Sequence, residues 1–267
     1  MSNPASTNIV MMNRDRHESP ASCHACSRVG RCPAAGRPES LGQTDQPMQK
    51  LVKSGKLVIE AEAKFEGIYV VRAGFFKSYT VDTDGSMQVT GFHLPGEFFG
   101  MDGIEDGVHK EYVQALDTGS ICRLPLEVFC SLNGPAGHEW STQMTRSLLK
   151  LMSSTIRRDR DMFFTLGKTT AKGRLLTFLS DLSRRMGLSG YDPSEFRLCM
   201  SRTDIANHLC LALETVSRLF TQLQAEGVLE ISGRALRILE PLDATPRKLA
   251  AIPDVSARRA VAEPKTA

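Results

Sequence analysis

Residues 201–240 read SRTDIANHLCLALETVSRLFTQLQAEGVLEISGRALRILE. Their punctuation sets the architecture of the last third of the chain. Thr203 before Asp204 has the character of an N-cap, opening a short helix with Ile205, Ala206 and Leu209 on one face. A brief turn over Cys210–Ala212 leads to a second helix over 213–225, whose Val216, Leu219, Phe220 and Leu223 form a buried stripe. Gly227 stops that helix, and VLEISGRALRILE reads as a hairpin with Gly233 at its turn. Two helices across a tight turn, followed by a β wing, is helix-turn-helix grammar.

On the second helix Glu214, Ser217 and Arg218 stand at i, i+3 and i+4 of a polar face near the N-terminus. The first turns of a recognition helix meet base edges in the major groove. Arginine donates two bonds to guanine, glutamate accepts from cytosine N4, and serine adapts to either. Arg234 and Arg237 in the wing are placed to meet phosphate. Taken alone, Glu214 and Arg218 read rather as a surface ion pair worth about 0.3–0.5 kcal/mol. The helices, the wing and the segment that precedes them together favour DNA.

That preceding segment, 136–167, has no proline and is rich in helix formers. Thr145, Leu149, Met152, Ile156, Asp159, Phe163 and Leu166 recur at alternating steps of four and three, the period of a helix-to-helix seam. A seam of this kind serves a homodimer; an ordinary packed helix is the alternative. Asp159 is its odd member, because in a parallel two-fold pair each carboxylate approaches its own copy. From 51 to 135 short alternating runs broken by turn signals, with Asp84-Gly85 inside one hairpin, suggest an antiparallel barrel or double-sheet roll. The expected class is therefore α+β. It comprises a leader (1–50), a β-roll sensor (51–135), a dimerisation helix (136–167), a winged helix-turn-helix (168–240) and a tail (241–267).

The 267 residues have the composition of a soluble globular protein, 41% hydrophobic and 24% charged. The start lacks the pattern of a signal peptide and no apolar run is long enough to span a bilayer, so the expected location is the cytoplasm, without a membrane partner. Net charge is only +3, yet Arg157, Arg158, Arg160, Lys168, Lys172, Arg174, Arg184 and Arg185 crowd the second half. Charge alone reads these as a solvated helical face. No triad spacing or phosphate-binding glycine loop supports an enzyme.

Seven cysteines in a chain expected in a reducing compartment point to metal or reactive thiols rather than a disulfide framework. Residues 22–33, SCHACSRVGRCP, place Cys23, Cys26 and Cys32 in one short loop and leave one coordination corner to a distant residue. Irregular loop spacing with a distant fourth thiolate suits an iron–sulfur cluster; His24 keeps zinc open. Cys130, Cys199 and Cys210 lie in apolar contexts and read as small buried hydrophobes. Cys122 lies at a strand end before a proline.

On RTDIANHL and ETVSRLF, at 202–209 and 214–220, the chain resembles the CRP/FNR family of bacterial transcription regulators over about residues 20–240. The resemblance implies a β-roll sensor, a two-fold dimer through the long helix, and a DNA-reading set of Arg202, Thr203, Glu214, Ser217 and Arg218. The family usually carries glycine at the turn that Cys210 occupies, so a cysteine there bears strain if φ is positive. Gly96 and Glu97 match the nucleotide-binding members. Lys110-Glu111-Tyr112 stands where those members hold the cyclic phosphate with arginine, which argues against a cyclic nucleotide. The cysteines resemble the oxygen-responsive FNR branch, implying Cys23, Cys26, Cys32 and Cys122 as ligands of a [4Fe–4S] cluster.

In that branch the cluster offsets repulsion at the aspartate matching Asp159, beside Ile156, and the dimer activates genes through RNA polymerase at a palindrome resembling TTGAT-N4-ATCAA. Arg28 and Arg31 in the ligand loop depart from the branch and would raise the cluster's potential. A shortened first stretch of the β-roll departs as well. The alternatives are a cluster-free regulator of the same family, sensing through haem or thiols, and an iron–sulfur electron carrier.

Overall fold

In the computed structural model, residues 18–20, 48–126, 134–168 and 170–242 are described, and the alternating stretches of the N-terminal half pair into two antiparallel sheets. The strands are β1 (Glu18–Pro20), β2 (Met48–Val52), β3 (Leu57–Ile59), β4 (Ile68–Ala73), β5 (Phe76–Val81), β6 (Met87–His93), β7 (Phe98–Phe99), β8 (Tyr112–Ala115) and β9 (Gly119–Leu124). One sheet runs β1-β2-β9-β4-β7 and the other β3-β8-β5-β6. Val52, Ile59, Val71, Phe76, Phe99, Val113 and Ile121 form one buried cluster within the roll. The hairpin expected at Asp84-Gly85 joins β5 to β6, with Gly85 at φ 83° donating its N–H to the Asp82 carbonyl at 2.9 Å.

The long helix α1 (Gly134–Lys168) starts two residues earlier than the sequence suggests, because Pro135 is tolerated in a first turn where amides lack helical partners. Met144, Leu148 and Leu151 on one side pack with Ile68, Val70, Phe98 and Leu124 of the roll. The seam lies on the other side: Leu149, Met152, Ile156 and Phe163 are 61%, 37%, 49% and 82% exposed. A row of large apolar side chains left in water along one helix is the mark of a surface awaiting a partner.

The C-terminal domain comprises α2 (Ala171–Leu188), β10 (Glu195–Arg197), α3 (Arg202–His208), α4 (Leu213–Ala225), β11 (Leu229–Ser232) and β12 (Ala235–Ile238). The second helix and the hairpin lie where the sequence puts them. β10 adds a third, unforeseen strand by pairing with β12. Thr203 is not the N-cap. Ser201 holds that place in extended backbone, its Oγ accepting from Asp204 N at 3.0 Å while Asp204 Oδ2 accepts from Ser201 N at 3.1 Å. Thr203 already lies in the helix; this capping box satisfies two amides and displaces the start by two residues.

Two further corrections concern single residues. Cys210 is exposed rather than buried, and at φ 51° it takes the left-handed conformation its turn demands. Arg185, read as part of a solvated face, is buried. Cys199 is buried as expected; burial and the neighbouring Asp117 push its thiol up to about 12, leaving it unreactive.

Left-handed backbone costs a non-glycine residue about 1–2 kcal/mol. Cys210→Gly should therefore raise the urea midpoint modestly and Cys210→Val lower it; equal midpoints would contradict a strained turn. Asp204 gives a pH test. Burial pushes its carboxyl up, but hydrogen bonds from Lys77 and Ser201 outweigh burial and hold it below its ordinary value. Its contribution is present above the unfolded carboxylate range and is lost as pH falls through the lower folded value. Asp204→Asn should therefore be less stable near neutrality and flatten the acid limb of a stability profile.

Candidate nucleic-acid interface

The first turns of α4 present Glu214, Ser217 and Arg218 to solvent, while Val216, Phe220 and Leu223 on the other side are buried. Among the described residues neither Glu214 nor Arg218 is held by an ion pair or hydrogen bond, so the surface-pair alternative is not what the side chains do. Ala212 precedes α4 and supplies no side-chain cap.

Arg202 and Thr203 stand in the first turn of α3. Thr203 is exposed; the Arg202 guanidinium lies 3.4 Å from the ring centroid of Phe220, a cation–π contact that braces α3 against α4. Burial holds the Arg202 pKa below its ordinary value. The wing arginines separate. Arg234 is exposed beside Gly233, whereas Arg237 is held between Glu195 at 2.9 Å and Glu230 at 3.1 Å, which neutralises much of its charge.

Sequence reasoning counted Arg174 only as charge. Its Nη2 donates to the Leu166 carbonyl at 2.7 Å and its Nη1 to those of Leu209 at 3.2 Å and Cys210 at 3.4 Å. One guanidinium thus ties the last turn of α1 to the turn between α3 and α4, a role that no sequence spacing signals.

In the sensor, Cys122 is half-buried in β9, and Gln49 of β2 and Val70 of β4 are its lateral partners. Ser19 of β1 pairs in turn with Gln49, so Ser19, Gln49 and Cys122 form one row across three strands. Cys23, Cys26, Cys32, Cys130, Arg28 and Arg31 lie outside the described residues. Among the described residues no three His, Cys, Asp or Glu side chains gather into a metal-holding group. On α1, Ile156 and Asp159 are both exposed on the seam. Desolvation raises the Asp159 pKa, with Arg158 opposing.

The Gly96-Glu97 turn does not leave its carboxylate open. Glu97 Oε1 accepts from Arg185 Nε at 2.8 Å, and Oε2 accepts from Arg185 Nη2 at 2.6 Å and Leu94 N at 2.9 Å. Burial pushes the Glu111 carboxyl above its ordinary value and the charges of Asp102 and Asp159 add to the rise, against hydrogen bonds from Thr90 and Ser78.

Residues 173–242 match the Crp-like helix-turn-helix domain, and residues 49–132 match the cyclic nucleotide-binding domain. The fumarate and nitrate reduction regulatory protein of Escherichia coli K12 is 36% identical over 219 residues, covering 81% of this chain and 86% of that protein. Electron transport regulator A of Shewanella oneidensis is 33% identical over 238 residues, 86% of this chain and 93% of that protein. Among solved structures, FixK2 from Bradyrhizobium japonicum superposes with a TM-score of 0.62 at 29% identity, covering 73% of this chain and 93% of the other. These relatives are regulators rather than enzymes, and no helix among the described residues is long and apolar enough to cross a membrane. With its helix-turn-helix, sensor sheet and extended identity, this chain belongs to the CRP/FNR family as an FNR-like, DNA-binding transcription regulator.

Proposed function

We propose that this protein is an oxygen-responsive cytoplasmic regulator, mainly an activator of anaerobic or microaerobic genes. Cys23, Cys26, Cys32 and Cys122 would hold a [4Fe–4S] cluster. The row Ser19–Gln49–Cys122 carries the reading. Neighbouring strands lie about 4.8 Å apart, so β1 runs about 10 Å from Cys122. Cys23 follows Pro20 by three residues, and an extended chain spans about 3.3–3.6 Å per residue. The leader is thus anchored within reach of the distant thiolate, and four cysteine sulfurs are the donor set such a cluster takes.

When bound, the cluster supplies an oxygen-labile link between leader and β-roll. The chain's own packing carries the consequence further. Leu124, two residues beyond Cys122 on β9, shares a buried cluster with Met144, Leu148 and Leu151 of α1, so β9 and the helix move together. Across α1 the apolar seam favours a homodimer and the paired Asp159 carboxylates oppose it; a few kcal/mol of bias at β9 would decide between the two. The dimer sets two α4 helices about 34–36 Å apart, one turn of DNA. Arg218 would read guanine, Glu214 the opposite cytosine and Ser217 a neighbouring thymine of a TTGAT-N4-ATCAA-like palindrome, with Arg202, Thr203 and Arg234 near phosphate. The bound dimer would recruit RNA polymerase. The match to the cyclic nucleotide-binding domain is read as fold, since Glu97 is occupied and Glu111 would repel a phosphate.

Anaerobic purification should yield brown protein with about four irons per chain. Cys23→Ser and Cys122→Ser should lose iron and palindrome binding together. Arg218→Ala should keep its iron and bind DNA about 1–3 kcal/mol more weakly, with relaxed choice at one base pair. A colourless or zinc-bearing protein would sink the cluster while sparing the DNA reading; indifference to Cys23→Ser marks a cluster-free regulator, and indifference to Arg218→Ala an electron carrier. Asp159→Ala should dimerise without iron in sedimentation velocity; a variant that stays monomeric removes Asp159 from the switch.

A further inference from the structure

The DNA-reading domain does not hang from α1 alone, because α2 and α3 are clasped by the β5–β6 side of the roll. β6 is the outer strand of its sheet, and α3 supplies partners for its free edge. Asn207 Nδ2 donates to the Met87 carbonyl at 2.6 Å and Asn207 Oδ1 accepts from Val89 N at 2.5 Å, as a neighbouring strand would. His208 Nδ1 lies 3.1 Å from the Val89 carbonyl, which fixes that nitrogen as the donor. Lys77 on β5 reaches Asp204 Oδ1 at 2.6 Å. Arg185 on α2 grips both oxygens of Glu97 and also donates to the Phe92 carbonyl. Between these polar ties Val89, Phe92 and Leu94 share one buried cluster with Phe178, Leu179, Ile205 and Leu209.

We infer that this clasp is a buttress that sets the angle of the reading helix, with Asn207, Arg185 and Glu97 as positioning residues for DNA recognition. The faces used decide the sign. A contact that silenced the domain by covering it would lie over Glu214, Ser217 and Arg218. The clasp takes α2 and α3 from another side and leaves those residues and Arg234 exposed. It therefore holds the domain while presenting its reading surface. At the end of α1 the domain is held by Arg174, between the Leu166 carbonyl and the turn after α3, an attachment so close to the pivot that it resists rotation of the domain only weakly. Two copies that swing independently cannot hold a fixed separation of recognition helices. Registering both heads on one palindrome then depends on a second, lateral attachment, which β6 provides.

The inference rests on the family's DNA-reading role and on the proposed palindrome, and its test separates the two. The full chain is prepared anaerobically as parent, as Glu97→Met with Arg185→Met, and as Asn207→Ala. The double variant removes both charges and so strands neither in the interior. Fluorescence anisotropy is read on duplexes whose TTGAT and ATCAA halves are separated by about four or about six base pairs. The parent should prefer the shorter spacer, and in both variants that preference should shrink about tenfold, with iron content and dimer mass unchanged. Hydrogen exchange needs no DNA: amides over residues 87–92 and 202–208 should lose protection while those of 216–223 keep it. Unchanged exchange, or faster exchange with spacer preference intact, overturns the buttress. A parent that binds neither duplex sinks the palindrome assignment instead, and exchange alone then upholds or overturns the clasp.

Discussion

The buried ion pair between Glu97 and Arg185 is the constraint around which the two halves of this chain are arranged. Taking two charges out of water costs several kcal/mol per ion, and the cost is met only where geometry and further hydrogen bonds are both good. Here the guanidinium meets the carboxylate through two nitrogens, Leu94 N completes the carboxylate, and the Phe92 carbonyl takes another guanidinium bond. Burial opposes both charges, yet Glu97 stays below its ordinary value through Arg185, and Arg185 stays above its own through Glu97. Separating the sheet from α2 would give up these hydrogen bonds and open the apolar cluster of Phe92, Leu94, Phe178 and Leu179 to water. The sensor and the reading domain share an interior for this reason.

The same pair explains how a nucleotide-type fold is turned to another use. The Gly96-Glu97 turn survives in sequence, but its carboxylate is spent within the chain. Glu111 is a second carboxyl in the same roll, pushed above its ordinary value by burial and by the charges of Asp102 and Asp159. In the proposed function the signal enters at the other sheet, where β1 and β2 stand beside Cys122 of β9. Beside that sheet runs α1, whose inner side packs against Leu124 and whose outer side carries the seam.

Much of the reading domain was legible because its signals are local. The bounds of α4, the turn at Gly233 and the strain at Cys210 follow from apolar spacing and from the backbone each residue type tolerates. The N-cap was misplaced because Ser201 and Thr203 are both competent caps, and only the reciprocal bond with Asp204 chooses between them. β10 was missed because three residues carry no period of their own and become a strand only against β12. In the sequence Arg185 and Arg174 are alike as positive charge, and Arg202 is marked only by the family resemblance. They differ because one meets Glu97, one three carbonyls and one the ring of Phe220.

The longer periodic elements are written in the sequence: the main strands of the roll, the apolar seam of α1 and the polar first turns of α4. Periodicity and turn chemistry act over a few residues, so they are written in neighbouring letters. The tertiary structure alone decided what those elements do to one another: that Asn207 completes the edge of β6, that Glu97 is closed by Arg185, and that β1 aligns with Cys122. Each of these joins residues tens of positions apart through hydrogen-bond geometry, and such geometry exists only once the chain has brought its donors and acceptors within three ångströms or so.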